Sequence, residues 1–249
     1  MRFGRASLAW NARAKSNCMT KSESTKSRTG AGNASPERVR HADSKSGWLR
    51  ALTGHKYSLL FGLLHPRTHQ AKSTTKLNRY PEIFAAATKA APSARKILSF
   101  GCSTGEECVT LANYFPTAQI IGADINVLNL LRTFRYRSER VRFVYASDRI
   151  LNRFGSFDAI FCMAVLRFSG RYQAAYPFER FAERVHYLEG LVRPGGLLVI
   201  HNSTYRFVDT THRYDYETIP VTVHHDKVYL PDGTTETQPE GIIFRRLDY

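Results

Sequence analysis

The stretch from Lys96 to Asp124 restricts most strongly what this chain can fold into. Ile97, Leu98 and Phe100 form a short apolar run that ends at Gly101-Cys102-Ser103-Thr104-Gly105. Beyond it Val109, Leu111, Ala112 and Phe115 recur at helical spacing, so the order is strand, tight glycine turn, helix. A second apolar run, Ile120 to Ala123, follows Pro116 and stops at Asp124, about 20 positions past the first glycine. This spacing predicts a βαβ unit with an acid at the tip of its second strand, the arrangement that holds a nucleoside through its ribose hydroxyls.

The turn itself narrows the choice of nucleoside. A dinucleotide fingerprint needs G-x-G-x-x-G, so that bare backbone can approach a pyrophosphate at the helix N-terminus. Here Ser103 stands at the second glycine position and Glu106 at the third. Glu106 and Glu107 suit the helix dipole but repel a phosphate placed there, which disfavours an NAD-dependent oxidoreductase. A cationic ligand is welcome instead. S-adenosylmethionine has a ribose for Asp124, no phosphate, and an ammonium beside a sulfonium.

At these residues the chain resembles the class I S-adenosylmethionine-dependent methyltransferases. Ser103-Thr104-Gly105-Glu106-Glu107 is similar to the STGEE run of the chemotaxis-receptor methyltransferases, in which an acid of that run faces the cofactor's methionine end. The resemblance spans roughly residues 80 to 205. It includes Phe157-Asp158-Ala159-Ile160 with Val165-Leu166, which resembles the family's fourth motif, and Leu191 to Ile200, which resembles its LxPGGxLxI signature. It implies an α/β, Rossmann-like doubly wound sheet, mostly parallel with an antiparallel C-terminal hairpin and helices on both faces. The expected cofactor-binding residues are Gly101, Cys102, Ser103, Gly105, Glu106, Asp124, Ile125, Ser147, Asp148 and Ala164, with S-adenosyl-L-methionine as the cofactor. Of these, Ser147 and Asp148 follow the third strand, Val141 to Ala146, where either could accept from the adenine amine. The competing bland reading of the glycine turn is a well-capped helix in some other α/β protein.

The formal net charge of +15 is unevenly placed. Residues 1–80 carry 16 Lys/Arg against 3 Asp/Glu, whereas residues 81–249 carry 20 against 18. The basicity therefore belongs to the leader. Residues 1–46 are rich in Ser, Lys and Arg with few large apolar side chains, which predicts a disordered basic leader. Residues 47–249 are expected to form a single domain, with a helical extension over 47–95 and the Rossmann-like core over 96–249. The leader fits a plain solvated tail, an organelle transit peptide or a contact with an anionic surface. The extension, with Trp48, Leu49, Leu52 and the Leu59 to Leu64 run, fits helices packed on the domain or lying on a membrane surface. Its apolar run is too short to cross a membrane, and Pro66 ends it.

Cys18, Cys102, Cys108 and Cys162 show no CxxC pair. They make neither a zinc site nor a disulfide framework, so free thiols in a reducing, cytoplasmic compartment are expected and no metal is assigned. Pro81 opens a helix through Ala91, and Val127, Leu128, Leu130 and Leu131 give a helical face beyond Asp124. Arg132, Arg135, Arg137, Arg140 and Arg142 crowd the end of that face and read as a solvated helix end rather than a nucleic-acid contact. A fourth strand is expected over 157–166, a helix over 181–192 and a Pro194-Gly195-Gly196 turn into the fifth strand. Extended runs at 219–225 and 241–246 form the closing hairpin, with a turn at Asp232-Gly233.

The acceptor is less legible. Met163-Ala164-Val165-Leu166 occupies the place where amino-methylating nucleic-acid enzymes of this fold carry an Asn/Asp-Pro-Pro-aromatic motif, and no Pro-Cys nucleophile stands in for it. A nucleic-acid methyltransferase is thus disfavoured, and a small-molecule or carboxylate/hydroxyl acceptor is expected. A non-catalytic S-adenosylmethionine-binding module is the remaining alternative. His201 stands at the end of the fifth strand, but a loop-satisfied histidine fits it better than a general base, and no catalytic residue or oligomeric state is assigned.

Overall fold

The computed structural model describes residues 69, 75–167, 176–223, 228–236 and 241–248. The expected leader, and the extension as far as residue 74 apart from His69, lie outside the described residues. The described elements belong to one compact unit, Trp48–Tyr249.

Alternating side chains explain the sheet. Consecutive residues of a strand point to opposite faces, and a strand buried on both faces is apolar throughout. Ile97, Ile120 and Phe161 join one core cluster, while their neighbours Leu98, Ile121 and Ile160 join another. These residues lie in β1 (Lys96–Phe100), β2 (Gln119–Asp124) and β4 (Phe157–Met163). With β3 (Val141–Tyr145) and β5 (Val192–His201) they form five parallel strands. β9 (Ile243–Arg246) pairs antiparallel to β5, and β6 (Tyr216–Ile219) antiparallel to β9. The order is β3-β2-β1-β4-β5-β9-β6, the mostly parallel sheet with an antiparallel edge that the sequence implies.

Helices cover both faces. α1 (Pro81–Ala90) and α2 (Glu106–Tyr114) pack Ile83, Phe84 and Leu111 on the first cluster. α5 (Phe178–Glu189) packs Phe181, Val185 and Leu188 on the second. Each such buried side chain contributes about 1.5–3 kcal/mol from its removal from water. α3 (Val127–Arg132) and α4 (Asp148–Leu151) are short helices that follow β2 and β3.

Several expected elements differ in detail. β4 ends at Met163 rather than Leu166, because Ala164 turns the chain into a positive φ of 57°. The helix before β5 is set back to Phe178–Glu189, and Arg193 to Gly196 lie inside β5 as an irregularity rather than a turn before it. Pairing steps from Phe157 with Val192 directly to Ala159 with Leu197, so the extra residues are extruded as a bulge. The closing run at 219–225 is strand only as far as Ile219. Asp232-Gly233 turns a separate two-stranded ribbon, β7 (Val228–Tyr229) with β8 (Thr235–Glu236). Of the apolar residues of α3 only Leu130 packs on the core: Val127, Leu128 and Leu131 are exposed, and Asn129 faces inward, where its side chain hydrogen-bonds Asp124. The inward polar contact sets the roll of the helix.

Candidate functional site

The strand order reverses between β1 and β4: β2 and β3 extend to one side of β1, and β4 and β5 to the other. Ligands of open α/β sheets sit at the carboxyl ends of the strands where such a reversal occurs. The glycine turn after β1 lies there. Gly101 has φ 76°, and a Cβ on it would fall 2.3 Å from a Val165 methyl, so the turn is pressed against the chain leaving β4. Gly105, at φ 98°, serves as the N-cap of α2 without any side-chain hydrogen bond.

Strain concentrates at this edge. Among the described residues, the non-glycines at positive φ are Asn78, Ser103 in the turn, Ala164 after β4 and Asn202 after β5. Such conformations cost of order 1–3 kcal/mol each and persist where the surroundings over-determine them, often at ligand sites.

Asp124 ties the edge together. Its Oδ2 accepts from the Ser103 amide at 2.8 Å, and its Oδ1 from the Asn126 amide at 2.7 Å. Burial raises its pKa above the ordinary aspartate value, opposed by the bonds from Asn126, Ser103 and the Asn129 side chain. A carboxylate offers about four acceptor positions. Three are thus in use, and Asp124 is only 8% exposed. The Ser103 Oγ beside it is buried and has no hydrogen-bond partner.

The two acids that open α2 behave differently. Glu106 turns away from the crevice, accepting from Arg135 Nη2 at 3.0 Å and from Thr104 Oγ1 at 2.6 Å. Glu107 turns inward and accepts from Ser99 Oγ at 2.8 Å. Burial pushes its pKa from 4.5 up to about 7, with Ser99 and the Arg79 charge opposing. Its charge is felt by the thiols of Cys102 and Cys162, whose pKa values burial and neighbouring groups raise. Cys102, Cys108 and Cys162 are buried and free.

The other expected site residues lie around the same edge. Ile125 follows Asp124 at the end of β2. Ala164 is buried, and its amide donates to the His201 carbonyl at 2.8 Å. Ser147 caps α4 by accepting from the Ile150 amide, and Asp148 pairs with Arg184 at 2.8 Å. Both side chains after β3 therefore already have partners. His201 is buried and meets the Tyr80 ring edge-on at 4.7 Å. Of the arginines at 132–142, which are exposed, Arg140 also donates to the Ala112, Phe115 and Ala118 carbonyls at the end of α2.

No sequence pattern marks His69, yet its Nδ1 lies 2.6 Å from the buried Tyr176 hydroxyl. Burial, helped by Arg180 and Arg184, lowers its pKa to about 3 and keeps the ring neutral. Tyr176 stacks on Tyr205, which follows β5. A contact spanning more than a hundred residues leaves no local periodicity from which to read it. Glu107 had a signal that could be weighted: it stands four residues from the apolar Leu111 on the inward face of α2, whereas Glu106 does not.

Residues 98–200 match a family model described as a methyltransferase domain. No curated protein sequence matches. Among solved structures, an O-methyltransferase family protein from Burkholderia thailandensis aligns at 17% identity over 55% of this chain and 41% of that one, with a TM-score of 0.41. A sugar N-methyltransferase from a Streptoalloteichus species aligns at 16% identity over 73% of this chain and 62% of that one, with a TM-score of 0.39. The chain spans less than two thirds of the length of either. An amino pentose methyltransferase from Micromonospora echinaspora, involved in calicheamicin biosynthesis, aligns at 17% identity over 86% of both chains, with a TM-score of 0.43. Likeness of this degree decides nothing about an acceptor.

The matched methyltransferase domain, residues 98–200, thus contains the glycine turn at the sheet's reversal. S-adenosyl-L-methionine is the cofactor that the sequence resemblance implies for such a domain. The residues fit this group: the unpartnered Ser103 Oγ and the inward Glu107 carboxyl offer polar contacts in the turn, and no phosphate has to be accommodated. Among the described residues no helix is long and apolar enough to cross a membrane.

Proposed function

We propose that the protein is a class I S-adenosylmethionine-dependent methyltransferase that methylates a small-molecule acceptor through a hydroxyl or carboxylate oxygen. When bound, the cofactor supplies a methyl group on a sulfonium, which the acceptor takes by in-line displacement while the electron pair of the breaking bond leaves on sulfur. Alignment supplies much of the acceleration in such a step, so this chain's residues act mainly by binding and orientation. Asp124 holds the ribose, with its remaining acceptor position and by exchanging the Asn129 bond for a hydroxyl. Ser103 contacts the methionine end. Glu107, rather than Glu106, faces the ammonium, and its inward carboxyl against Ser99 is the observation that carries this assignment. Ile125 and Ala164 line the adenosine, with Ser147 and Asp148 at its rim.

Support for a small acceptor comes from the chain after β4. Met163 and Leu166 are buried, Val165 packs on Gly101, and the run offers no amide or acid to hold an extruded base. Residues 47–249 act as one catalytic domain with 1–46 as an appended basic leader, and the buried free thiols suit the reducing cytoplasm. The test is a methyl-transfer screen with labelled cofactor over small hydroxy and carboxylic acids, amines, and RNA. Label transferred to small oxygen acceptors supports the reading, whereas transfer to RNA alone contradicts it.

A further inference from the structure

The sequence carries the pattern His-x-x-acid twice, as His186-Tyr187-Leu188-Glu189 and His212-Arg213-Tyr214-Asp215. The first ends α5, and the second runs through a 3-10 turn (Arg213–Asp215) just before β6. The fold brings the two together. Both lie at the edge of the sheet where β5 and β6 begin and β9 ends, opposite the glycine turn, since Tyr216 pairs with Arg246 and Arg246 Nη1 reaches the Val192 carbonyl at 2.6 Å.

The imidazoles of His186 and His212 stack, with centroids 4.6 Å apart and planes at 23°. His186 Nδ1 is 3.8 Å from Glu189 Oε2, and His212 Nδ1 is 3.7 Å from Asp215 Oδ2. One donor atom from each of His186, Glu189 and His212 lies within 4.8 Å of the others. Glu189 is the anomaly. It is 6% exposed, and neither carboxylate oxygen has a hydrogen-bond partner. The neighbouring Tyr216 hydroxyl is also buried without one.

We propose that His186, Glu189 and His212 bind a divalent transition-metal ion of the zinc type, with Asp215 or water completing the coordination. Two imidazoles and a carboxylate select such an ion over calcium or magnesium, which prefer oxygen donors. Ligands about 2.0–2.1 Å from a tetrahedral ion lie roughly 3.3 Å apart, so side-chain rotation closes the remaining gap. His186 is exposed at the end of its helix and free to rotate.

The surroundings of Glu189 agree: the Arg246 guanidinium donates to the Glu189 and Val192 backbone carbonyls, and the carboxylate oxygens have no hydrogen-bond partner. An ion gives the orphaned carboxylate a partner. Its role is structural: it clamps the end of α5 to the connection entering β6, far from the cofactor turn.

The test uses the full chain, free of any affinity tag and stripped with chelator. Titration with Co²⁺ is followed by visible absorption, then Zn²⁺ is added in competition. The expected result is saturation at one equivalent with the intense bands of a tetrahedral site, displacement by Zn²⁺, and a higher melting temperature with Zn²⁺. His212→Ala, at a half-exposed position, is expected to fold normally and to weaken Co²⁺ binding at least about tenfold, the loss that removing even an outer partner of a ligand brings. Glu189→Gln is expected to do the same. Absence of saturable binding in the wild type overturns the proposal. So does undiminished affinity in His212→Ala, which would place the ion on other histidines of the chain.

Discussion

The two edges of the sheet both bury carboxylates, and Asp158 at one is neutralised differently from Asp124 and Glu107 at the other. At the edge where the parallel strands begin, Asp158 at the start of β4 accepts from the amides of Arg95 and Lys96 and pairs with Arg193 Nε at 2.7 Å. At the opposite edge, Asp124 accepts from amides, Glu107 from a hydroxyl, and neither shows an ion pair within 4 Å among those the described residues make. An acid that serves the fold alone is matched from within the chain. Acids left short of a cation, in a crevice lined by strained backbone, suit a cation brought by a ligand.

The largest expected effect comes from filling the glycine turn. Gly101→Val places a branched side chain at positive φ and into Val165, and destabilisation of about 3 kcal/mol or more is expected by urea unfolding, with cofactor binding lost. A fully folded variant that still binds S-adenosylhomocysteine would break the account of the turn.

Next comes Asp158→Ala, which leaves two amides without their acceptor. It should cost about 1–3 kcal/mol while leaving affinity for S-adenosylhomocysteine in the surviving folded protein unchanged. Calorimetric titration under stabilising conditions checks the second half. A matching loss of affinity would erase the distinction between the edges.

Glu107 sharpens the comparison through pH. Its folded pKa, about 7, is raised above the ordinary 4.5, so the stability associated with its protonated form is complete below about pH 4.5 and is lost as pH rises through 7. The shift corresponds to roughly 3 kcal/mol, and the partial solvent access of this side chain brings the expectation to about 2 kcal/mol or less. Glu107→Gln should flatten that part of the pH dependence in the ligand-free protein. Glu189 titrates in the same window and supplies the residue of the slope. Denaturant melts from pH 5 to 8 measure both, and an unchanged slope in Glu107→Gln would show that its carboxyl is not held up.

The smallest effect belongs to the exposed face beyond Asp124. Leu131→Gln and Phe134→Gln should each change stability by less than about 0.5 kcal/mol, since these side chains are 68% and 76% exposed.

The sequence made the parallel core legible because each of its strands is a short apolar run bounded by glycine, proline or an acid, and the glycine turn with Asp124 fixed where the cofactor edge lies. The roll of α3 was not legible, because four apolar residues suggest a buried face whereas one inward Asn129 bonded to Asp124 decides it. The PGG run reads as a turn by composition, yet pairing on both flanks keeps it within β5 as a bulge. That Arg135 arrives from beyond α3 to pair with Glu106, leaving Glu107 to Ser99, has no local signal in the sequence. By sequence alone Asp124 reads only as a ribose-holding acid at a strand tip. Its bonds to the Ser103 and Asn126 amides make it a structural tie as well as the proposed ribose ligand.

That double role decides the form of the most direct measurement. Asp124→Asn keeps the shape of the tie and removes the charge, whereas Asp124→Ala is expected to cost about 1.5–3 kcal/mol of stability as well. S-adenosylhomocysteine is titrated calorimetrically into wild type, Asp124→Asn and Glu107→Gln, each checked for folding by circular dichroism. The account predicts a loss of affinity in both variants, on the order of ten- to a hundred-fold for Asp124→Asn, from weakened charge-assisted bonds. Equal affinity in all three proteins would contradict it.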